Sequence, residues 1–225
     1  MEVGGEYTFD APREMVWEAL QDPDVLGKVM PGGQGFEQIA ENEYAGILNV
    51  KVGPVQGKFK GNIVLSSLVP LESYNLDVDG KGAPGFVKAN GAMRLSDQGD
   101  KTTMMYEGTA RVGGRIASVG QRLLDASAKS IIRQSLDGLN EYLKVQQAVQ
   151  VTTEAAEAAG ASPEEVAEAV SAAELPEYTP PSQASVAMNV AKDVAGDLVA
   201  PEYRPIVIAV AIMLVVCLLC RRRGT

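Results

Sequence analysis

The sequence predicts an α+β domain, an antiparallel sheet wrapped around a long C-terminal helix, followed by a disordered linker and a C-terminal membrane helix. Three observations carry this expectation. The segments run strand, two short helices, a meander of strands and a long helix. Apolar residues alternate with polar ones through the meander. One apolar run, 206–220, closes the chain before Arg221, Arg222 and Arg223.

The first strand is expected over Val3 to Phe9, and Asp10 with Pro12 opens a helix whose apolar face is Met15 or Val16 with Ala19 and Leu20. A second short helix follows Asp22-Pro23 and stops at Pro31-Gly32-Gly33. Five or six strand-like runs come next. Gly113-Gly114 then introduces a long helix to about Gln147, with Ile116, Val119, Leu123, Leu124, Ile131, Ile132, Leu136, Leu139 and Leu143 at helical spacing.

Alternation assigns faces, because successive side chains of a strand point to opposite sides. From Val55 to Leu65 the odd positions are apolar and the even ones largely polar. The same test turns Tyr44, Leu48, Val50 and Val52 inward, then Tyr74, Leu76 and Val78, then Val87, Ala89, Met93 and Leu95, then Met104, Tyr106, Ala110 and Val112. Gly46, Gly57, Gly61, Gly80, Gly91 and Gly108 share that inward parity. Glycine fills no volume, so two outcomes follow, and they can coexist. The sheet bends sharply so that backbone closes the gap, or an apolar cavity stays open between sheet and helix. Such a cavity suits a lipophilic ligand. Its expected lining is Leu20, Leu48, Val50, Phe59, Ile63, Met93, Met104, Tyr106, Leu123, Leu124, Ser127 and Ile131, with Phe86 as a plug at the rim.

Composition excludes much of enzyme chemistry. The 225 residues contain no histidine, which removes Ser-His-Asp and Cys-His nucleophile systems and imidazole metal ligands. Cys217 and Cys220 both lie in the terminal apolar run, as lipid-facing filler and not a redox or zinc pair. No catalytic residue and no metal site is expected, nor any covalent cofactor. With a pI near 4.7, nucleic acid is not an expected partner. Gly80-Lys81-Gly82-Ala83-Pro84-Gly85 matches G-x-G-x-x-G, yet a strand follows it instead of a helix, so it reads as a rim loop or a plain hairpin. Asp77 and Asp79 share the outward face and read as solvated charges. Arg115, Arg122, Lys129 and Arg133 fall within one arc of the long helix, a solvated face or a docking surface for an acidic partner or anionic headgroups.

Charge divides the chain in three. Residues 1–149 carry 15 Lys/Arg against 19 Asp/Glu, residues 150–205 carry 2 against 10, and the tail adds three arginines. Residues 1–149 are expected to form the domain. Residues 150–205 lack large apolar side chains and cannot fold alone. They hold one short helix, capped by Ser162 and Glu165 and ended at Leu175-Pro176, and a weaker one from about Ser185 to Leu198. As a coil of about 55 residues this linker spans about 40 Å root-mean-square. Residues 206–223 are expected to anchor the chain. The 15 residues 206–220 reach about 22 Å as a helix, short of the roughly 30 Å hydrocarbon core, a gap that Tyr203, the arginines and local thinning close. The first twenty residues have no uninterrupted apolar core, so the domain is expected on the cytoplasmic side of the cell membrane. The positive-inside rule pulls the other way on the tail: either the three arginines translocate or the helix inserts without crossing.

Phe9-x-Ala11-Pro12-x-x-x-Val16-Trp17-x-x-Leu20-x-Asp22-Pro23 with Pro31-Gly32 resembles the helix-grip (START/Bet v1-like, SRPBCC) superfamily of polyketide cyclases and START-like domains. Lys51 to Pro54, Gly57-x-Phe59-x-Gly61, Gly80-x-Gly82-x-Pro84-Gly85-Phe86, Tyr106 and Val112 to Gly120 are similar in particular to the carbon monoxide dehydrogenase CoxG family. The resemblance covers roughly residues 1–145. It implies a helix-grip fold with a deep apolar cavity and an accessory role beside a molybdenum-containing carbon monoxide dehydrogenase or related hydroxylase. It brings no catalytic residues. Some members of that family are similar in carrying a C-terminal membrane segment. Together these readings lead to a membrane-tethered carrier that takes a lipophilic molecule, a respiratory quinone such as menaquinone, to a soluble oxidoreductase. The rival reading is a tether that recruits the dehydrogenase without carrying a ligand.

Overall fold

The computed structural model describes residues 1–159 together with Ser162 and Met188. The elements are β1 (Glu2–Phe9), α1 (Arg13–Ala19), α2 (Pro23–Val29), β2 (Gly33–Ala40), β3 (Glu43–Val52), β4 (Val55–Val69), β5 (Ser73–Gly82), β6 (Gly85–Asp97), β7 (Thr102–Gly113), a 3₁₀ turn (Arg115–Val119) and α3 (Gln121–Ala158). One seven-stranded sheet in the order β1-β7-β6-β5-β4-β3-β2 curls around α3, with the α1–α2 pair bridging its two edge strands. This is the helix-grip arrangement the sequence predicts.

Local chemistry places most element ends. Asp22 caps α2, its carboxylate accepting from the amides of Asp24 at 2.8 Å and Val25 at 3.2 Å, with Pro23 in the first turn. Asp10 does not play that part for α1, whose N-cap is Pro12 with no side-chain bond. The Asp10 carboxylate instead joins Lys101 at 2.8 Å, Lys144 at 3.4 Å and Asn140 at 3.4 Å, pinning the end of β1 to α3.

The long helix departs from expectation at both ends. Ile116 and Val119 belong to a separate 3₁₀ turn, because Gly120 at φ 93° breaks the backbone before α3 begins. At the other end α3 runs to Ala158, well past Gln147. The added residues are rich in Ala and Glu, good helix formers that need no burial. The hydroxyls of Thr152 and Thr153 donate back to the Ala148 and Val149 carbonyls. The two linker helices and the 206–220 run lie outside the described residues. Among those described, no helix is long and apolar enough to cross a membrane.

From Val55 to Leu65 and through β5 to β7 the alternation holds, with inward positions buried or half-buried and outward ones almost all exposed. It slips at the end of β4, where Ser67 takes φ 52° and the register shifts. The core has two parts. Phe9, Val16, Val25, Val29, Tyr44, Leu65, Tyr74, Met93, Met104, Leu136, Leu139 and Leu143 form the larger one, under α1 and α2. Val52, Val55, Phe59, Ile116 and Leu124 close the other end, beside the β3–β4 and β5–β6 hairpins.

Candidate functional site

All six glycines face inward, and the space above each is settled differently. A Cβ on Gly46 would stand 2.7 Å from the Phe36 ring, and one on Gly57 would run into Pro84. A Cβ on Gly91 would approach the Glu107 carbonyl to 2.8 Å, and one on Gly108 the Asn90 carbonyl to 2.5 Å. There the strands themselves curl in. Gly61 and Gly80 differ: the nearest atom to a Cβ at either is 3.7 Å away, ordinary van der Waals distance. They are direct cross-strand partners. Bending and cavity therefore coexist, with the cavity left above this one pair.

That cavity has a volume of about 170 Å³ and a wall that is almost wholly apolar. Leu48, Val50, Phe59 and Ile63 line it, as the sequence predicts. Met30, Phe36, Val78, Val87 and Ile116 complete the wall and were not among the expected lining residues. Val78 and Val87 carry the inward parity, which was the available signal. Met30 and Phe36 come from the α2–β2 corner, whose position no alternation reports. The Phe36 ring rests against Gly27, Gly33 and Gly46 and so forms one wall. No acid, base or nucleophile lines the space, and no cluster of metal-ligating side chains forms among the described residues.

The other expected residues lie elsewhere. Met93 and Met104 are packed in the larger core, and Leu20 is packed against it. Tyr106 lies over Gly5 on the neighbouring strand, its hydroxyl 2.7 Å from where a Gly5 Cβ would stand. Burial raises the Tyr106 pKa, against an opposing pull from Arg133. Leu124 sits in the smaller core with Phe59 and Ile116, and Leu123 covers Gly53. Ile131 is half-buried on α3, away from the cavity wall. Phe86 is no plug. It is 42% exposed and lies over Gly113 on the outward face, the side opposite Val87. The hairpin it follows is fixed in place: Pro84 is fully buried against Gly57, and its carbonyl accepts from the Ile116 amide at 2.9 Å.

Ser127 is 2% exposed, and no protein group hydrogen-bonds its Oγ. Three other hydroxyls on α3 donate to the carbonyl one turn back: Ser135 to Ile131 at 2.9 Å, Thr152 to Ala148 at 2.9 Å and Thr153 to Val149 at 3.0 Å. Ser127 does not. It lies one turn on from Leu124, whose cluster partners Phe59 and Ile116 line the cavity. Of the four expected docking cations, Arg122, Lys129 and Arg133 share one exposed arc of α3, while Gly120 sets Arg115 apart on the 3₁₀ turn.

Residues 5–144 match the family described as CoxG of carbon monoxide dehydrogenase. No curated protein matches the chain. Among solved structures, a conserved protein from Geobacillus kaustophilus is similar at 33% identity and TM-score 0.61, over 64% of this chain and 95% of that one. The protein TTHA0849 from Thermus thermophilus is similar in fold at 16% identity and TM-score 0.51, over 64% of this chain and 97% of that one.

Proposed function

The chain belongs to the carbon monoxide dehydrogenase CoxG family, and on that footing we propose that it is a membrane-tethered carrier of a lipophilic molecule, a respiratory quinone such as menaquinone. Family and fold point to a ligand-binding accessory protein, and the family name implies association with carbon monoxide dehydrogenase. In this reading the domain takes the quinone from the bilayer and presents it to that soluble, molybdenum-type enzyme. The run 206–223 holds the chain at the cytoplasmic side of the cell membrane.

The observation that carries the reading is the cavity above Gly61 and Gly80. At about 170 Å³ it is of the size that admits one small ring system, since an engineered cavity of about 150 Å³ takes benzene. A quinone ring fills it. The isoprenoid tail then runs along the concave face, where Ala89 and Ala110 remain half-exposed. Each methylene removed from water contributes about 0.8 kcal/mol, which is what lets an insoluble quinone leave the bilayer in protein. The chemistry of reduction belongs to the partner, because the cavity wall offers no proton donor or acceptor.

Organic extraction and mass spectrometry of the purified full chain, with titration by a short-chain quinone, test this. Co-purified quinone and saturable binding at one site are expected. A chain free of lipid that shows no saturable binding overturns the carrier reading and leaves recruitment of the dehydrogenase.

A further inference from the structure

The outward face of the sheet is charged unevenly. Lys51, Lys58, Lys60, Lys81, Lys88 and Arg111 all point outward near the β3–β4 and β5–β6 hairpins, and all are exposed. Outward carboxylates Asp77 and Glu2 border this end in the next cross-strand row, and Glu107 lies one row beyond them. The single acid within the basic end is Asp79, which meets Lys88 at 3.3 Å and Lys81 at 3.6 Å.

Two features separate this patch from an ordinary solvated face. Lys60 stands directly opposite Lys81 across β4 and β5, and Lys88 directly opposite Arg111 across β6 and β7. Like charges in direct cross-strand register destabilise a sheet. A fold whose residues 1–149 carry more acids than bases places two such pairs side by side. The second feature is Phe86, 42% exposed, in register with Lys81 and two residues from Lys88 on the same face. An exposed ring framed by cations is the pattern of an interfacial lipid-binding surface: the ring enters the headgroup layer and the cations meet anionic lipid.

We propose that this face seats the domain on an anionic lipid surface with Phe86 inserted. The inference deepens the carrier reading and rests on it for the presence of a membrane. The docked face adjoins the hairpins that close the smaller core beside the cavity, so docking brings the cavity end of the domain to the lipid. The lipid is preferred to an acidic protein because an exposed ring beside Lys81 and Lys88 has a use in a bilayer.

The test uses the full chain carrying Phe86→Trp, reconstituted in vesicles of phosphatidylcholine with or without phosphatidylglycerol, both with brominated acyl chains. The expected result is quenching of the indole at position 86 in the anionic vesicles, lost in pure phosphatidylcholine and at high salt. The chain without the substitution supplies the background from Trp17, which packs against Tyr74. Lys60→Gln, Lys81→Gln and Arg111→Gln should each weaken docking about five-fold, about 100-fold together. Retained melting temperature shows that they fold, and the salt titration of the otherwise unaltered chain stands without them. The proposal is overturned by absence of quenching in anionic vesicles, by equal quenching in both lipids, or by quenching that appears only after the acidic segment 160–205 is removed. The last outcome assigns the face to the chain's own acids. Quinone extraction is scored separately, so failure of one reading does not mask the other.

Discussion

Filling the cavity from its floor separates folding from binding. Gly61 and Gly80 have ordinary backbone angles, and a Cβ at either meets its nearest neighbour at 3.7 Å. Gly61→Ala and Gly80→Ala together therefore add two methyl groups to the cavity without a clash. Each substitution restricts the unfolded chain and stabilises by about 0.4–1 kcal/mol. The double variant should melt about 4 °C higher. The same methyls take the place of two methylene equivalents of guest, about 1.6 kcal/mol, so affinity for a bicyclic quinone such as menadione should fall about 15-fold. Thermal melts and calorimetric titration of the full chain read the two effects. Gly91→Ala and Gly108→Ala are the contrast, because their Cβ atoms would press on carbonyls at 2.8 Å and 2.5 Å. They should lose about 1–3 kcal/mol of stability. A Gly61/Gly80 double variant that is more stable and binds menadione as before would refute the cavity as the binding site. One that is unfolded would refute the geometry.

Three further outcomes are expected. Ser127→Ala removes an unpartnered buried hydroxyl, so the ligand-free chain should gain about 1 kcal/mol by urea denaturation. Phe36→Ala removes the ring packed on Gly27, Gly33 and Gly46; it should cost about 2 kcal/mol, below the 3–5 of a fully buried ring, and admit larger guests in the same titration. Hydrogen bonds from Lys101, then Asn140 and Lys144, hold the Asp10 carboxyl at about 2, below its ordinary 3.8. A lowered pKa gives stability that is full above about pH 4 and lost as pH falls through about 2, so Asp10→Asn should flatten the urea midpoint across that window.

Which features the sequence discloses follows from what one-dimensional periodicity can encode. Alternation reports a side chain's face, and it placed every glycine and every inward residue from Val55 to Leu65 and through β5 to β7 correctly. It says nothing about position along the strand. Ile63 and Met93 share a face, yet Ile63 reaches the open end above Gly61 while Met93 lies where α1 and the later turns of α3 fill the space. The expected lining therefore merged one cavity with one core. The same parity, applied to Phe86, already puts it on the side opposite Val87, and only its place at a hairpin suggested a plug. Helical spacing misled in the converse way. Ile116, Val119 and Leu123 keep a three-to-four-residue rhythm across Gly120, whose φ of 93° interrupts the backbone without disturbing the pattern of apolar residues. Burial-based reasoning likewise ended α3 too early, since Ala and Glu extend a helix on propensity alone. Phe36 was hidden for a deeper reason: its meaning lies in three glycines separated along the chain, at positions 27, 33 and 46, that become neighbours only when β2 pairs with β3 beside α2. A cavity wall assembled in that way has no local signature, whereas its glycine floor does, because small residues at inward positions of adjacent strands mark missing volume wherever register brings them together.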